Sequence, residues 1–201
     1  MRIVGGRFKG AALKSPRSQA TRPTSDKLRE SLFNILAHAY GDPVPGARVL
    51  DLFAGTGALG LEALSRGASH ALFVEEAAEA RGLIRANVEA LGLTGATRIF
   101  RRDATKLGPA APIQPFALVF CDPPYGRGLG ERALRAALDG GWLEPGALVV
   151  LEEAARTEVE AVLGFERLDE RRYGGSKLLF LRRLRTERTE PPKDSEEAGG
   201  A

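Results

Sequence analysis

The sequence predicts a doubly wound α/β fold, and three observations carry that expectation. From residue 48 onward short apolar runs alternate with stretches of helical periodicity; runs such as Leu118-Val119-Phe120 contain no polar residue; and the first run opens through a glycine-rich turn into a helix. This alternation builds a mostly parallel sheet, because parallel strands need crossover helices and are buried on both faces. The chain has 201 residues, 43% hydrophobic and 27% charged, enough for one sizeable core and too few for two.

Within residues 1–15, Arg2-Ile3-Val4, the pair Gly5-Gly6 and a second apolar stretch at 11–13 predict a small hairpin. Residues 17–23 read as a polar loop. Thr24 or Ser25 can cap a helix whose Leu28, Leu32, Ile35, Leu36 and Ala39 recur at helical spacing, and 41–46 link it to the body. Strands are expected at 48–53, 71–75, 97–101, 116–121 and 147–152, with helices at 58–65, 77–91 and 130–138. A further helix is expected at 158–163. The stretches 165–173 and 177–184 flank Gly174-Gly175, which predicts an antiparallel hairpin at the sheet edge. Residues 185–201, rich in Glu, Pro and Gly and without aromatics, have the composition of a disordered tail. The expected organisation is a basic N-terminal extension at 1–45, an α/β body at 46–184 and the tail at 185–201.

Charge is unevenly placed. Net charge is only +3, yet residues 1–40 carry eight Lys or Arg against Asp26 and Glu30, leaving the remainder slightly acidic. A basic arm on a near-neutral body suits contact with a polyanion, so Arg2, Arg7, Lys9, Lys14, Arg17 and Arg22 are candidate phosphate contacts; a solvated basic face is the alternative. Asn34 on the predicted helix is a candidate contact near a target base, although such a residue is more often solvated. The single cysteine, Cys121, offers neither an internal disulfide nor a zinc cluster, and no metal site is expected. No apolar run approaches the roughly 20 residues that cross a bilayer, and MRIVGGRFKG lacks the apolar stretch of a signal peptide. A cytoplasmic, monomeric protein without membrane contact is expected.

The segment 49–60, VLDLFAGTGALG, is a strand running through Phe53 and Ala54 into Gly55, Gly57 and Gly60 and then a helix. Glycines there let a ligand pass close to the backbone at the carboxyl ends of the strands. The spacing alone fits a nicotinamide dinucleotide as well as S-adenosyl-L-methionine. Asp51 argues for the second, since a carboxylate would repel a pyrophosphate at the helix N-terminus but attract the ammonium of a methionine moiety. Glu75, closing the second strand, stands where an acid accepts ribose hydroxyls. Asp103 is placed to receive an adenine amino group while Ala104 presents a backbone donor. Each acid can alternatively cap the element that follows it.

Asp122-Pro123-Pro124-Tyr125 follows the fourth strand and is the most informative segment. Two prolines hold the backbone extended and remove two amide donors, leaving carbonyls to face a ligand. A nucleobase amino group has two N–H donors, which match an acceptor pair made of the Asp122 carboxylate and the Pro123 carbonyl. Tyr125 adds a flat face for stacking. A rigid turn with a buried tyrosine is the plainer alternative.

Together, VLDLFAGTGALGLEALSRGA and DPPY resemble the class I methyltransferases, Rossmann-like enzymes that modify exocyclic amines. RIVGGRFKG, the run RPTSDKLRE followed by Leu32-Phe33-Asn34, and Arg172-Tyr173-Gly174 are similar to the bacterial small-subunit ribosomal RNA guanine-N2 methyltransferases, over residues 1 to about 184. The resemblance implies 16S rRNA as substrate, the N2 position of a guanine, and action on a 30S subunit or its assembly intermediate. Adenine-N6 methylation of DNA, a nicotinamide-dependent oxidoreductase and a noncatalytic RNA-binding module with a vestigial cofactor pocket are the competing readings; the oxidoreductase leaves DPPY unexplained, and the module predicts binding without turnover.

Overall fold

A computed structural model describes residues 1–16 and 26–185. Its regular elements, in chain order, are α1 (Asp26–Ala39), β1 (Arg48–Leu52), α2 (Ala58–Ser65), β2 (His70–Val74), α3 (Ala78–Ala90), β3 (Thr97–Phe100), β4 (Phe116–Cys121), α4 (Leu129–Asp139), β5 (Leu143–Ala154), β6 (Phe165–Tyr173) and β7 (Ser176–Arg183). The strands form one sheet of order β3-β2-β1-β4-β5-β7-β6. Neighbours from β3 to β5 pair in parallel, while β7 pairs antiparallel with both β5 and β6. The expected doubly wound sheet with an antiparallel C-terminal hairpin is the observed one.

Strand residues alternate between two cores, as the pleat requires. Val49, Phe73, Leu118, Phe120 and Val150 pack with α1, α2, α3 and the N-terminal Ile3 and Leu13. Leu50, Leu52, Val119, Cys121 and Val149 pack with α4, Leu107 and Trp142. Cys121 is a core residue whose thiol is pushed well above its ordinary pKa by burial. Among the described residues no helix is long and apolar enough to cross a membrane.

Three expectations are corrected. The N-terminal hairpin is reduced to a single antiparallel bridge, Arg2 to Ala12, around a 3-10 turn at Gly6–Phe8. Its tip folds onto α2 because α2 satisfies its backbone: Val4 N–H donates to Glu62 Oε2 at 2.8 Å, Phe8 N–H to Ser65 Oγ at 3.0 Å, and Ser65 Oγ–H to Gly5 O at 2.6 Å. No helix forms at 158–163. That stretch sets only Val159 against Val162 and Leu163 at helical spacing, leaves Leu163 exposed, and ends at Gly164 with φ 91°, leaving too few residues to recover the cost of nucleation. Strand β5 starts four residues early and passes through Pro145 and Gly146, opposite a register shift in its pairing with β4 between Phe116 and Leu118. Such an irregularity is where a strand tolerates proline. The expected polar loop at 17–23, the caps Thr24 and Ser25, and all of the expected tail beyond Arg185 lie outside the described residues.

Candidate active site

The sheet order reverses between β1 and β4, so a crevice opens at their carboxyl ends. Leu52 and Cys121 are paired there, and Asp122 N–H donates to Leu52 O at 3.3 Å. The glycine loop and the DPPY segment therefore leave the sheet side by side.

On the β1 side, Phe53 adopts a left-handed φ of 58°, a conformation that costs a non-glycine residue about 1–3 kcal/mol and recurs at ligand sites. Ala54 N–H is held by Val74 O at 3.1 Å, and Gly57 N–H closes the turn on Ala54 O at 2.7 Å. At Gly60 a Cβ would lie 2.4 Å from Phe73 Cε1, so α2 reaches the sheet only with glycine there. The same glycine's N–H donates to Asp51 Oδ2 at 3.0 Å. Asp51 is 1% exposed, and this burial lifts its carboxyl pKa to about 8. The bond from Gly60 N–H ties Asp51 to the first turn of α2.

Glu75 stands across the loop. Its Oε2 accepts from Gly55 N–H at 2.9 Å and its Oε1 from Ala77 N–H at 2.8 Å, joining the end of β2 to the glycine turn. Each carboxylate oxygen has a second lone pair, so two hydroxyls can still be accepted. Asp103 caps a 3-10 turn at Ala104–Lys106: its Oδ1 accepts from Thr105 N–H at 2.8 Å and Thr105 Oγ–H at 2.7 Å, and these bonds hold its pKa below the usual carboxylate value. Ala104 opens that turn and is buried. A glycine turn without side-chain bulk, an ionised acid at the third strand end and a carboxylate facing the loop fit an adenosyl group bearing a sulfonium. They fit a pyrophosphate poorly.

On the β4 side, Asp122 and Tyr125 are half-buried, Pro123 is buried and Pro124 exposed. Asp122 is therefore not sealed inside the sheet. The Tyr125 hydroxyl donates to Glu152 Oε1 at 2.5 Å, and Gly126 N–H donates to Glu153 Oε1 at 3.0 Å. Both acids come from the end of β5 and are almost wholly buried. Sequence reasoning missed them; two acids closing an apolar strand, Leu148 to Leu151, were the available signal.

Of the expected phosphate contacts, Arg2, Arg7, Lys9 and Lys14 are exposed, and Arg17 and Arg22 lie outside the described residues. Arg2 is partly neutralised by Asp26 at 3.6 Å. Asn34 is exposed on α1, one position from Phe33, whose ring packs 5.5 Å from Phe120. The arm also reaches the cofactor loop through a residue the sequence did not flag. Asn87, 1% exposed on α3, accepts from Lys14 N–H at 2.7 Å and donates to the carbonyls of Lys14 and Thr56, each at 3.1 Å.

The sequence matches the family described as conserved hypothetical protein 95 over residues 1–182. The chain belongs to that family. The match takes in the arm as well as the α/β body. Ribosomal RNA small subunit methyltransferase D of Escherichia coli (strain K12) is 40% identical over 163 residues, 81% of this chain and 79% of that protein. YlbH of Bacillus subtilis (strain 168), named as a candidate rRNA methyltransferase, is 38% identical over 170 residues, 82% of this chain and 88% of its own. Among solved structures, yhhF of Escherichia coli, named as a candidate methyltransferase, is similar with a TM-score of 0.78 at 34% identity, over 92% of this chain and 99% of that one. The methyltransferase resemblance read from the motifs holds at the level of family and fold.

Proposed function

We propose that this chain is an S-adenosyl-L-methionine-dependent methyltransferase that modifies the exocyclic N2 of a guanine in 16S rRNA, as a cytoplasmic monomer acting on a 30S subunit or its assembly intermediate. The observation that carries the reading is adjacency: Asp122 leaves β4 with its amide on Leu52, the residue from which the glycine loop springs. A donor held by that loop and an amine held by Asp122 meet at one rim. The names of the relatives support ribosomal RNA as the polymer.

When bound, S-adenosyl-L-methionine supplies a methyl group on a sulfonium whose leaving group is a neutral thioether. Glu75 offers its remaining lone pairs to the ribose hydroxyls, Asp103 accepts from the adenine amino group, and Phe53, Ala54, Gly55, Gly57 and Ala104 form the surface against which the nucleoside lies. The target base leaves its stack and lies against Tyr125. Asp122 and the Pro123 carbonyl accept its two N–H groups, while Pro124 holds the backbone extended. Those bonds return electron density to a nitrogen whose lone pair is otherwise shared with the ring, and they aim it for in-line attack. Asp122 then takes the product proton or passes it to water. Arg2, Arg7, Lys9, Lys14, Arg17 and Arg22 hold phosphates, with Asn34 nearer the base.

The test is methyl transfer from labelled cofactor to 16S rRNA, immature 30S particles and duplex DNA, followed by nucleoside analysis. N2-methylguanosine in either RNA substrate is expected. Label recovered as N6-methyladenine in DNA overturns the reading.

A further inference from the structure

The stretch 122–126 is poor in anchoring groups, because neither Pro123 nor Pro124 has an N–H to donate. Its remaining donors are the amides of Asp122, Tyr125 and Gly126 and the Tyr125 hydroxyl. Three of these four are engaged: Asp122 N–H with Leu52 O, Gly126 N–H with Glu153 Oε1, and the Tyr125 hydroxyl with Glu152 Oε1. Two of the three acceptors are side chains at the end of one strand. β5 lies beside β4 with Leu151 opposite Cys121, so Glu152 and Glu153 continue β5 where DPPY leaves β4. They are 5% and 2% exposed. A carboxylate is buried to that extent only where donors satisfy it; here the Tyr125 hydroxyl donates to Glu152, while Gly126 N–H and, at 2.7 Å, Ala154 N–H donate to Glu153.

We propose that Glu152 is a positioning residue for the reaction, pinning the Tyr125 ring through its hydroxyl so that the stacking face is set before the base arrives, with Glu153 fixing the end of the same loop. The inference rests on the proposed reading of Tyr125 as the platform for the target base. A ring tethered at Cβ and again at Oη, on opposite ends, cannot swing away from the crevice. Burial and the Glu152 carboxylate both hold the hydroxyl well above its ordinary pKa, and it stays a donor at physiological pH. Immobilising such a side chain in advance removes an ordering cost worth about three- to tenfold in rate if it is otherwise met at the transition state.

The experiment is steady-state methyl transfer to RNA, with active sites counted by S-adenosylhomocysteine titration, for Tyr125→Phe, Tyr125→Ala, Glu152→Ala, Glu152→Gln and the double variant Tyr125→Phe/Glu152→Ala. Tyr125→Phe keeps the face and loses the tether; kcat is expected to fall about three- to tenfold with KM for RNA unchanged, since RNA affinity resides mainly in phosphate contacts. Glu152→Ala is expected to fall equally, the double variant no further, and Glu152→Gln, which retains an acceptor, to recover most of the loss relative to Ala. Additive losses in the double variant, or wild-type kcat in Tyr125→Phe beside a large loss in Tyr125→Ala, overturn the tether and leave the platform standing. Wild-type kcat in Tyr125→Ala overturns the platform itself. If Glu152→Ala does not fold, Tyr125→Phe decides alone, because it removes only the hydroxyl and keeps the ring.

Discussion

Asp51 carries a group whose behaviour with pH follows from its place beneath the glycine loop. Its carboxyl titrates near 3.8 when unfolded and near 8 when folded, chiefly through burial. The folded chain thus keeps a proton that the unfolded chain releases. Stability from this group is complete below the lower value and is lost as pH rises through the upper one, at up to about 1.4 kcal/mol per pH unit in between. Asp51→Asn retains an acceptor for Gly60 N–H and does not titrate. Urea unfolding of both proteins at pH 5.5 and 8.5 is therefore expected to show the variant gaining on the wild type at the higher pH. A difference that stays constant between the two pH values contradicts the assignment.

At the scale of elements, the N-terminal arm and α2 behave as one unit. Arg29 and Glu62, both fully buried, face one another at 3.5 Å; Arg29 also bonds Asp26 and the carbonyl of Arg2, and Arg66 reaches Glu62 at 2.8 Å. The basic count of the first 40 residues therefore overstates the charge that RNA would meet, since one of its cations is consumed inside the fold. Removing one partner of a buried pair strands the other charge, and Glu62→Ala is expected to cost about 3–5 kcal/mol in equilibrium unfolding. A cost below 1 kcal/mol on the same measurement contradicts the pair's role. The exposed cations make a separate prediction. Replacing Arg7, Lys9 and Lys14 with Ala is expected to weaken RNA binding and flatten its log–log salt dependence by about two units, at 0.7–0.9 per phosphate contact. An unchanged slope would mean that the arm has only a structural task.

At the scale of the whole molecule, the sheet was legible because its strands are short apolar runs and its turns carry Gly or Pro; β4 and α2 were bounded to the residue. The site was legible where chemistry needs unusual residues, as at Gly57, Gly60 and the two prolines. Contacts that depend on tertiary packing were not. Glu152, Glu153, Glu62 and Asn87 are ordinary polar residues in sequence, and only the crossing of distant segments gives them partners. The helix expected at 158–163 failed for the converse reason, since a composition that permits a helix still needs length and a face to bury.

The proposed reaction converges on the rim where β1 and β4 end, with Asp122 as its proposed reacting group. The most direct measurement is single-turnover methyl transfer to RNA by Asp122→Ala, beside the affinity of the same variant for S-adenosylhomocysteine. The account predicts a loss of at least about a hundredfold in the rate, comparable to losing a general acid–base group, with cofactor affinity within about twofold of wild type. A variant that transfers methyl at near the wild-type rate contradicts it.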